Sequence, residues 1–166
     1  ARDFFEQSVK ATLALGRRAV LLIGDARNLP VTPLPPEIIA LDYAPYRLLL
    51  ARACVMVHHG GIGTTAEGLR AGRPTLIVPF AFDQSDNAAR AKRLGVSRTL
   101  YRAQYKAARV RKELGILLAK PHYARKALQV SARLRTENGA AVACDLIEDV
   151  LEKRAEDREL IHASGN

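Results

Sequence analysis

The sequence predicts an α/β domain in which a parallel sheet is flanked by helices. Three observations carry this. Short apolar runs bounded by Gly or Pro alternate with segments of helical periodicity. The connections between them are mostly short, as in strand–helix–strand units. A glycine-rich stretch, His58–Thr65, falls between one apolar run and the next helical segment, where a parallel sheet places its ligand loops.

Asp3 to Leu15 reads as a helix, with Phe4, Phe5, Val9 and Leu13 recurring at helical spacing, Asp3 as cap and Gly16 as stop. Because the first residues fall straight into this pattern, the natural N-terminus is expected to lie further upstream. Arg18 to Gly24 is a short apolar run ending in glycine, which suits a buried parallel strand. Asp25 to Pro36 holds four prolines and reads as an irregular loop. Strands follow at Ile38–Leu41, Cys54–Val57 and Thr75–Val78, the last bounded by Pro74 and Pro79, with a short edge strand at Val96–Leu100. Helices are expected at Tyr46–Ala53, Thr64–Ala71 and Ser85–Leu94. From Gln104 the pattern is helical to near Lys153, with breaks at Pro121 and Thr136–Gly139. The expected organisation is one domain over residues 1–153, followed by a frayed charged tail over 154–166.

The 166 residues are 48% hydrophobic and 26% charged, as in an ordinary globular chain. No apolar run approaches the roughly 20 residues that a membrane helix needs. Cys54 and Cys144 lie far apart among apolar residues and read as buried free thiols in a reducing, cytoplasmic compartment. The net charge of +9 is electrostatically compatible with nucleic acid, an anionic membrane or a nucleotide. Its basic residues cluster between Arg102 and Arg135 with too few interleaved aromatics, Tyr105 and Tyr123, for a base-stacking surface, and no DNA- or RNA-binding signature accompanies them. A solvated helical face is the expectation, with no nucleic-acid partner and no positive support for membrane association.

The candidate chemistry lies in three stretches that each follow a strand: Asp42–Tyr46, His58–Thr65 and Phe80–Asn87. Gly60, Gly61 and Gly63 let backbone approach a ligand closely, and the next helix offers unpaired N–H groups and a positive dipole end, suited to a diphosphate. Thr64 and Thr65 add hydroxyls. His59 adds an imidazole N–H, a contact worth about 1.5–3 kcal/mol when charge-assisted. No Walker lysine follows the glycines, which excludes a P-loop. Gly61-Ile-Gly63-Thr-Thr-Ala66 fits the loose dinucleotide pattern, but the next strand ends Val78-Pro79 without the acidic residue that NAD recognition needs. No Asp-x-Asp pair, HExxH or cysteine cluster marks a metal site.

Taken together, His58-His59-Gly60-Gly61-Ile62-Gly63-Thr64-Thr65, the Ala71-Gly72-Arg73-Pro74 turn, and Pro79 followed by Asp83-Gln84 and Asn87-Ala88 resemble the donor-binding segment of UDP-glycosyltransferases. Tyr43-Ala44-Pro45-Tyr46 falls where that family often has Trp-x-Pro-Gln. The resemblance is strong from about Asp42 to Gly95 and loose elsewhere. It implies the C-terminal, nucleotide-sugar-binding half of a two-domain GT-B fold with a Rossmann-like sheet. The strand that normally precedes the first helix, near the middle of the sheet, would be missing from this stretch of sequence.

Carried over, the resemblance implies that His59 contacts the donor diphosphate, helped by Gly61, Gly63, Thr64 and Thr65. It places Glu67 on the ribose hydroxyls, Asp83 and Gln84 on the transferred sugar, and Tyr43 with the backbone near Pro45 on the base. Thr64-Thr-Ala-Glu67 is equally a capping box, so Glu67 has a structural alternative. Adjacent histidines at a strand end point to opposite faces, and His58 is expected to be the structural one. Asp83 has a capping alternative through Asn87, and Asn87 itself is read as structural. The family transfers a hexose from a UDP-sugar, or a dTDP-sugar, with inversion and without a metal or other cofactor. Its general base sits in an N-terminal acceptor-binding domain, so no catalytic residue is expected in this chain. A stand-alone nucleotide-sugar-binding module and an NAD-dependent oxidoreductase fragment remain as alternatives.

Overall fold

The structure, a computed structural model, describes residues 1–163, with side chains through Arg154. The chain divides into two compact units at Leu134, the second beginning at Arg135.

The first unit opens with α1 (Arg2–Leu13), which starts before Asp3 and has no side-chain cap; Gly16 ends its turn at φ +61°. Five strands follow: β1 (Ala19–Leu22), β2 (Ile38–Leu41), β3 (Met56–His58), β4 (Thr75–Ile77) and β5 (Ser97–Thr99). All paired strands are parallel, yet they form two sheets, β1-β2 and β3-β4-β5, instead of the single expected one. The difference has a physical cause. β1 and β3 each keep an edge that no strand among the described residues pairs. α1 spans both sheets: Phe5 and Val9 pack on Leu21, Ile23 and Ile38, while Phe4, Ala11 and Leu15 pack with Leu76 and Val78.

Short α2 (Tyr46–Leu50) leads to β3, α3 (Ile62–Arg70) lies between β3 and β4, and α4 (Gln84–Arg93) between β4 and β5. Two longer helices, α5 (Ala107–Ala119) and α6 (Pro121–Leu134), are separated at Pro121, where proline cannot supply the hydrogen bond that would continue α5. α1 and α5 cover one face of β4 through Leu76, Val78, Val110 and Leu114. α3, α4 and α6 cover the other through Ile77, Ala88, Ala91 and Ala127. A strand sealed on both faces has no need to alternate polar and apolar residues, which explains the unbroken apolar run Leu76–Val78.

The second unit contains α7 (Gly139–Ala163), whose first turn is capped by Asn138 Oδ1 accepting from the Ala141 N–H at 3.2 Å. The tail expected to fray beyond Lys153 is helical through Ala163; residues 164–166 lie outside the described part. Cys54 and Cys144 are free thiols, but both are exposed, not buried. Cys54 falls in the turn before β3, whose strand begins at Met56, and so misses the buried register. No described helix is long and apolar enough to cross a membrane.

Candidate functional site

The site is assembled where β3 and β4 end. His58 is the last residue of β3 and is buried. Its Nδ1 accepts the Gly60 N–H at 3.1 Å, which puts the ring proton on Nε2, and Nε2 has no partner among the described residues. Burial, reinforced by the neighbouring His59, lowers its pKa to about 4. His58 is therefore a neutral internal brace. His59 is exposed, as strand alternation requires.

The chain then turns through Gly60 at φ +95°. A Cβ there would lie 2.8 Å from Ile77 Cγ2 and 3.1 Å from the Gln84 carbonyl oxygen, so glycine is required twice over. At Gly61 a Cβ would come within 2.6 Å of His59 Nε2. The imidazole thus lies directly over the loop that begins α3. Gly63 is exposed, with nothing near its Cα face.

α3 starts at Ile62, with Gly61 as N-cap and no side-chain cap. The Thr65 N–H makes the first helical bond, to the Gly61 oxygen at 2.9 Å, leaving the N–H groups of Ile62, Gly63 and Thr64 without an acceptor among the described residues. Together with the dipole they form a compact set of donors beside His59. The Thr64–Glu67 capping box is not formed, because the helix begins two residues before Thr64 and Gly61 takes the cap position. Glu67 is half-buried and pairs with Arg70 at 3.4 Å. The Thr65 hydroxyl is buried and donates to the Gly61 oxygen at 2.9 Å, so it braces the loop from inside, whereas Thr64 is partly exposed.

The second loop, Phe80–Asp83, leads into α4. Gln84 Oε1 accepts from the Phe80 and Ala81 N–H groups at 2.8 and 3.2 Å, which ties the loop down and leaves the Gln84 amide donors available. Asp83 accepts from Asn87 Nδ2 at 2.7 Å, and the same nitrogen donates to the Gly60 oxygen at 2.9 Å. Buried Asn87 therefore clasps the two loops together. The second loop also carries Phe82, 93% exposed and at φ +57°, a left-handed conformation uncommon for a bulky side chain. Phe80 carries the guanidinium of Arg102 over its ring at 5.3 Å.

The structure thus brings His59, Gly61, Gly63, Thr64, Asp83 and Gln84 to one end of the three-stranded sheet. Tyr43, 78% exposed, and Pro45, the N-cap of α2, follow β2 in the other sheet. No hydrogen bond or ring contact among the described residues joins them to the glycine loop. Sequence reasoning missed two features: the Asn87 clasp as a link between loops, and the strained Phe82. The Asp83–Asn87 spacing signals the first, being one helical turn; the second leaves no sequence signal. Among the described residues no group of three or more His, Cys, Asp or Glu is placed to hold a metal.

A parallel α/β domain with a glycine loop at a helix N-terminus is the architecture of the sugar-nucleotide half of GT-B glycosyltransferases, and solved structures of that class superpose on it. A glycosyltransferase of kitacinnamycin matches at a TM-score of 0.79 and 34% identity, covering 89% of this chain and 38% of that one. The calicheamicin glycosyltransferase matches at 0.80 and 28%, covering 91% and 38%. The glycosyltransferase VinC in complex with dTDP matches at 0.76 and 26%, covering 89% and 37%. The chain belongs to the erythromycin biosynthesis protein CIII-like C-terminal domain family, whose profile matches residues 9–150. Among curated relatives, the O-mycaminosyltylonolide 6-deoxyallosyltransferase of Streptomyces fradiae is 34% identical over 139 residues, which are 83% of this chain and 32% of the relative. The oleandomycin glycosyltransferase of Streptomyces antibioticus is 35% identical over 162 residues, 94% of this chain and 37% of the relative. The chain spans about a third of the length of these two relatives.

Proposed function

We propose that this chain is the donor-binding domain of an inverting, metal-independent glycosyltransferase that moves a hexose from a nucleoside diphosphate sugar to an acceptor hydroxyl. The observation that carries the reading is the Asn87 clasp. By bonding both Gly60 and Asp83, it fixes the unpaired N–H groups of α3 beside the loop bearing Asp83 and Gln84. One loop supplies anion donors and the other supplies groups that bind hydroxyls, which is the pairing a sugar diphosphate needs.

In this reading the α3 N–H groups, Gly61, Gly63 and Thr64 hold the diphosphate, with Thr65 supporting them from beneath. His59 donates to a phosphate oxygen and stabilises the negative charge that develops as the nucleoside diphosphate leaves. The Gln84 amide and Asp83 orient the sugar, Glu67 accepts from the ribose hydroxyls, and Tyr43 with Pro45 flanks the base. The acceptor hydroxyl attacks the anomeric carbon as its proton passes to a base, and the diphosphate departs in the same step. His58 cannot be that base, since its only acceptor nitrogen is occupied and its ring is buried. The base is assigned to an N-terminal acceptor-binding domain of the same enzyme, with residues 1–153 as the donor domain and 154–166 as its tail.

The nucleoside is read as uridine, or as thymidine by analogy with the relative solved with dTDP. Calorimetric titration with UDP, dTDP and NAD tests the class. Either diphosphate is expected to bind, and His59→Ala to weaken it by roughly tenfold. Binding of NAD with no response to either diphosphate would sink the reading. Comparing UDP with dUDP tests Glu67: equal affinities in the native chain and in Glu67→Ala would remove its ribose role.

A further inference from the structure

The turn after α1 and one side of α5 form an open groove of about 470 Å³ on the first unit. Leu15, Gly115 and Ile116 are its half-buried lining, and exposed Arg111, Lys112 and Lys120 complete it. Gly115 keeps the groove open to a partner, with only Leu15 Cδ2, at 3.8 Å, near the place of a Cβ. None of the three cations has an ion pair among the described residues, and no carboxylate lines the groove. Such a surface fits a partner that is apolar at its centre and acidic at its borders.

The first part of α7 has that character. Val142, Leu146 and Val150 recur every fourth residue with Ile147 and Leu151 beside them, so the five share one face. Each is at least 55% exposed. Between Val142 and Leu151 the helix carries Asp145, Glu148 and Asp149 but no Lys or Arg. Helical geometry sets Glu148 along one border of the apolar stripe and Asp149 along the other. At 1.5 Å per residue the stripe is about 14 Å long, and the groove lining runs about 18 Å along α5, from Ala108 to Lys120. Pairing α7 with another α7 would set acidic border against acidic border. The groove offers cations instead.

We propose that α7 of one copy seats its apolar stripe in the α1–α5 groove of a second copy. Each copy offers one helix and one groove, so a two-fold dimer closes through two identical contacts. Burial of the five aliphatic side chains drives the contact, and the charged borders fix its register. The dimer does not depend on the nucleotide-sugar reading of the donor site.

Sedimentation equilibrium of the intact chain, over a range of concentrations at low and at high salt, tests this. A reversible dimer is expected, severalfold weaker at high salt because opposite charges meet at the contact. Reversing the groove with Arg111→Glu and Lys112→Glu should weaken it by roughly tenfold or more, as should reversing the helix with Glu148→Lys and Asp149→Lys. Mixing the two reversed proteins should restore a dimer, since each groove then meets a helix of opposite charge. A folding defect could not produce that rescue. Leu146→Gln with Leu151→Gln should loosen the dimer and leave the far-ultraviolet circular dichroism of the monomer unchanged. A monomer at every concentration would overturn the proposal. So would a dimer that tightens with salt and ignores the groove variant, which would mean that α7 pairs with α7, or a mixture that fails to associate.

Discussion

The two sheets of this chain are built from the same material and finished differently. Strand β4 is sealed on both faces, so that Leu76, Ile77 and Val78 are all fully buried. In β1 and β2 only the face toward α1 is covered among the described residues, and Ile39 is 54% exposed with Val20 and Leu41 beside it. The difference tracks the proposed function. The glycine loop and the Asp83–Gln84 loop rise from the sealed half, where packing on both sides holds their backbone in place. Tyr43 and Pro45 rise from the half-covered sheet. In the proposed reading the diphosphate contacts stand on the first half and the base contacts on the second.

Leu76→Ala against Ile39→Ala tests this contrast with the largest effect. The first should cost about 2–5 kcal/mol, the cost of a buried cavity, and the second less than about 1 kcal/mol. Urea denaturation of both variants measures the gap, and similar losses would show that the two sheets are equally packed.

Acid should act first on the sealed half, through His58. Its pKa is lowered to about 4, from 6.5, so between these values the unfolded chain binds a proton that the folded chain excludes. Stability from this group is complete above pH 6.5, declines as pH falls, and is lost at about pH 4, a change of roughly 3 kcal/mol. His58→Gln should flatten that part of the stability profile. A profile identical to the native one would remove His58 as its source.

Cutting the clasp should come next. Asn87→Ala leaves the Gly60 oxygen without its side-chain donor and frees Asp83, for an expected loss of about 1–3 kcal/mol. Donor affinity should fall as well, because the two loops separate. Gly60→Ala should have a similar stability cost by a different route, its Cβ colliding with Ile77. Normal diphosphate affinity in Asn87→Ala would mean that the loops hold their places without the clasp.

The smallest effect is a gain. Phe82→Gly removes a left-handed strain of about 1–2 kcal/mol, and the added freedom of glycine in the unfolded chain offsets part of it. A net stabilisation of at most about 1 kcal/mol in thermal melts is expected. A loss would mean that the exposed ring packs on something that stabilises the loop.

Much of this was legible from the residues. Apolar runs and glycine stops located all five strands to within two residues, because a buried parallel strand demands continuous apolar side chains. The glycine loop and its helix were equally plain, since close backbone approach leaves few residue choices. The capping box at Thr64–Glu67 misled for a definite reason. The motif specifies a spacing, and the same spacing occurs inside a helix that starts two residues earlier. Cys54 misled because apolar neighbours do not distinguish a strand from the turn before it.

The sequence by itself determined which segments are strands and helices, and where the glycine-rich turn into α3 lies, because these follow from local periodicity and from glycine's freedom. Only the tertiary structure decided that five parallel strands form two sheets joined by α1, that His58 stays neutral, and that Asn87 reaches back 27 residues to Gly60 and so joins two loops. Each of these depends on what lies across space from a residue. Desolvation, edge pairing and a hydrogen bond between distant loops are set by packing, which no local pattern encodes.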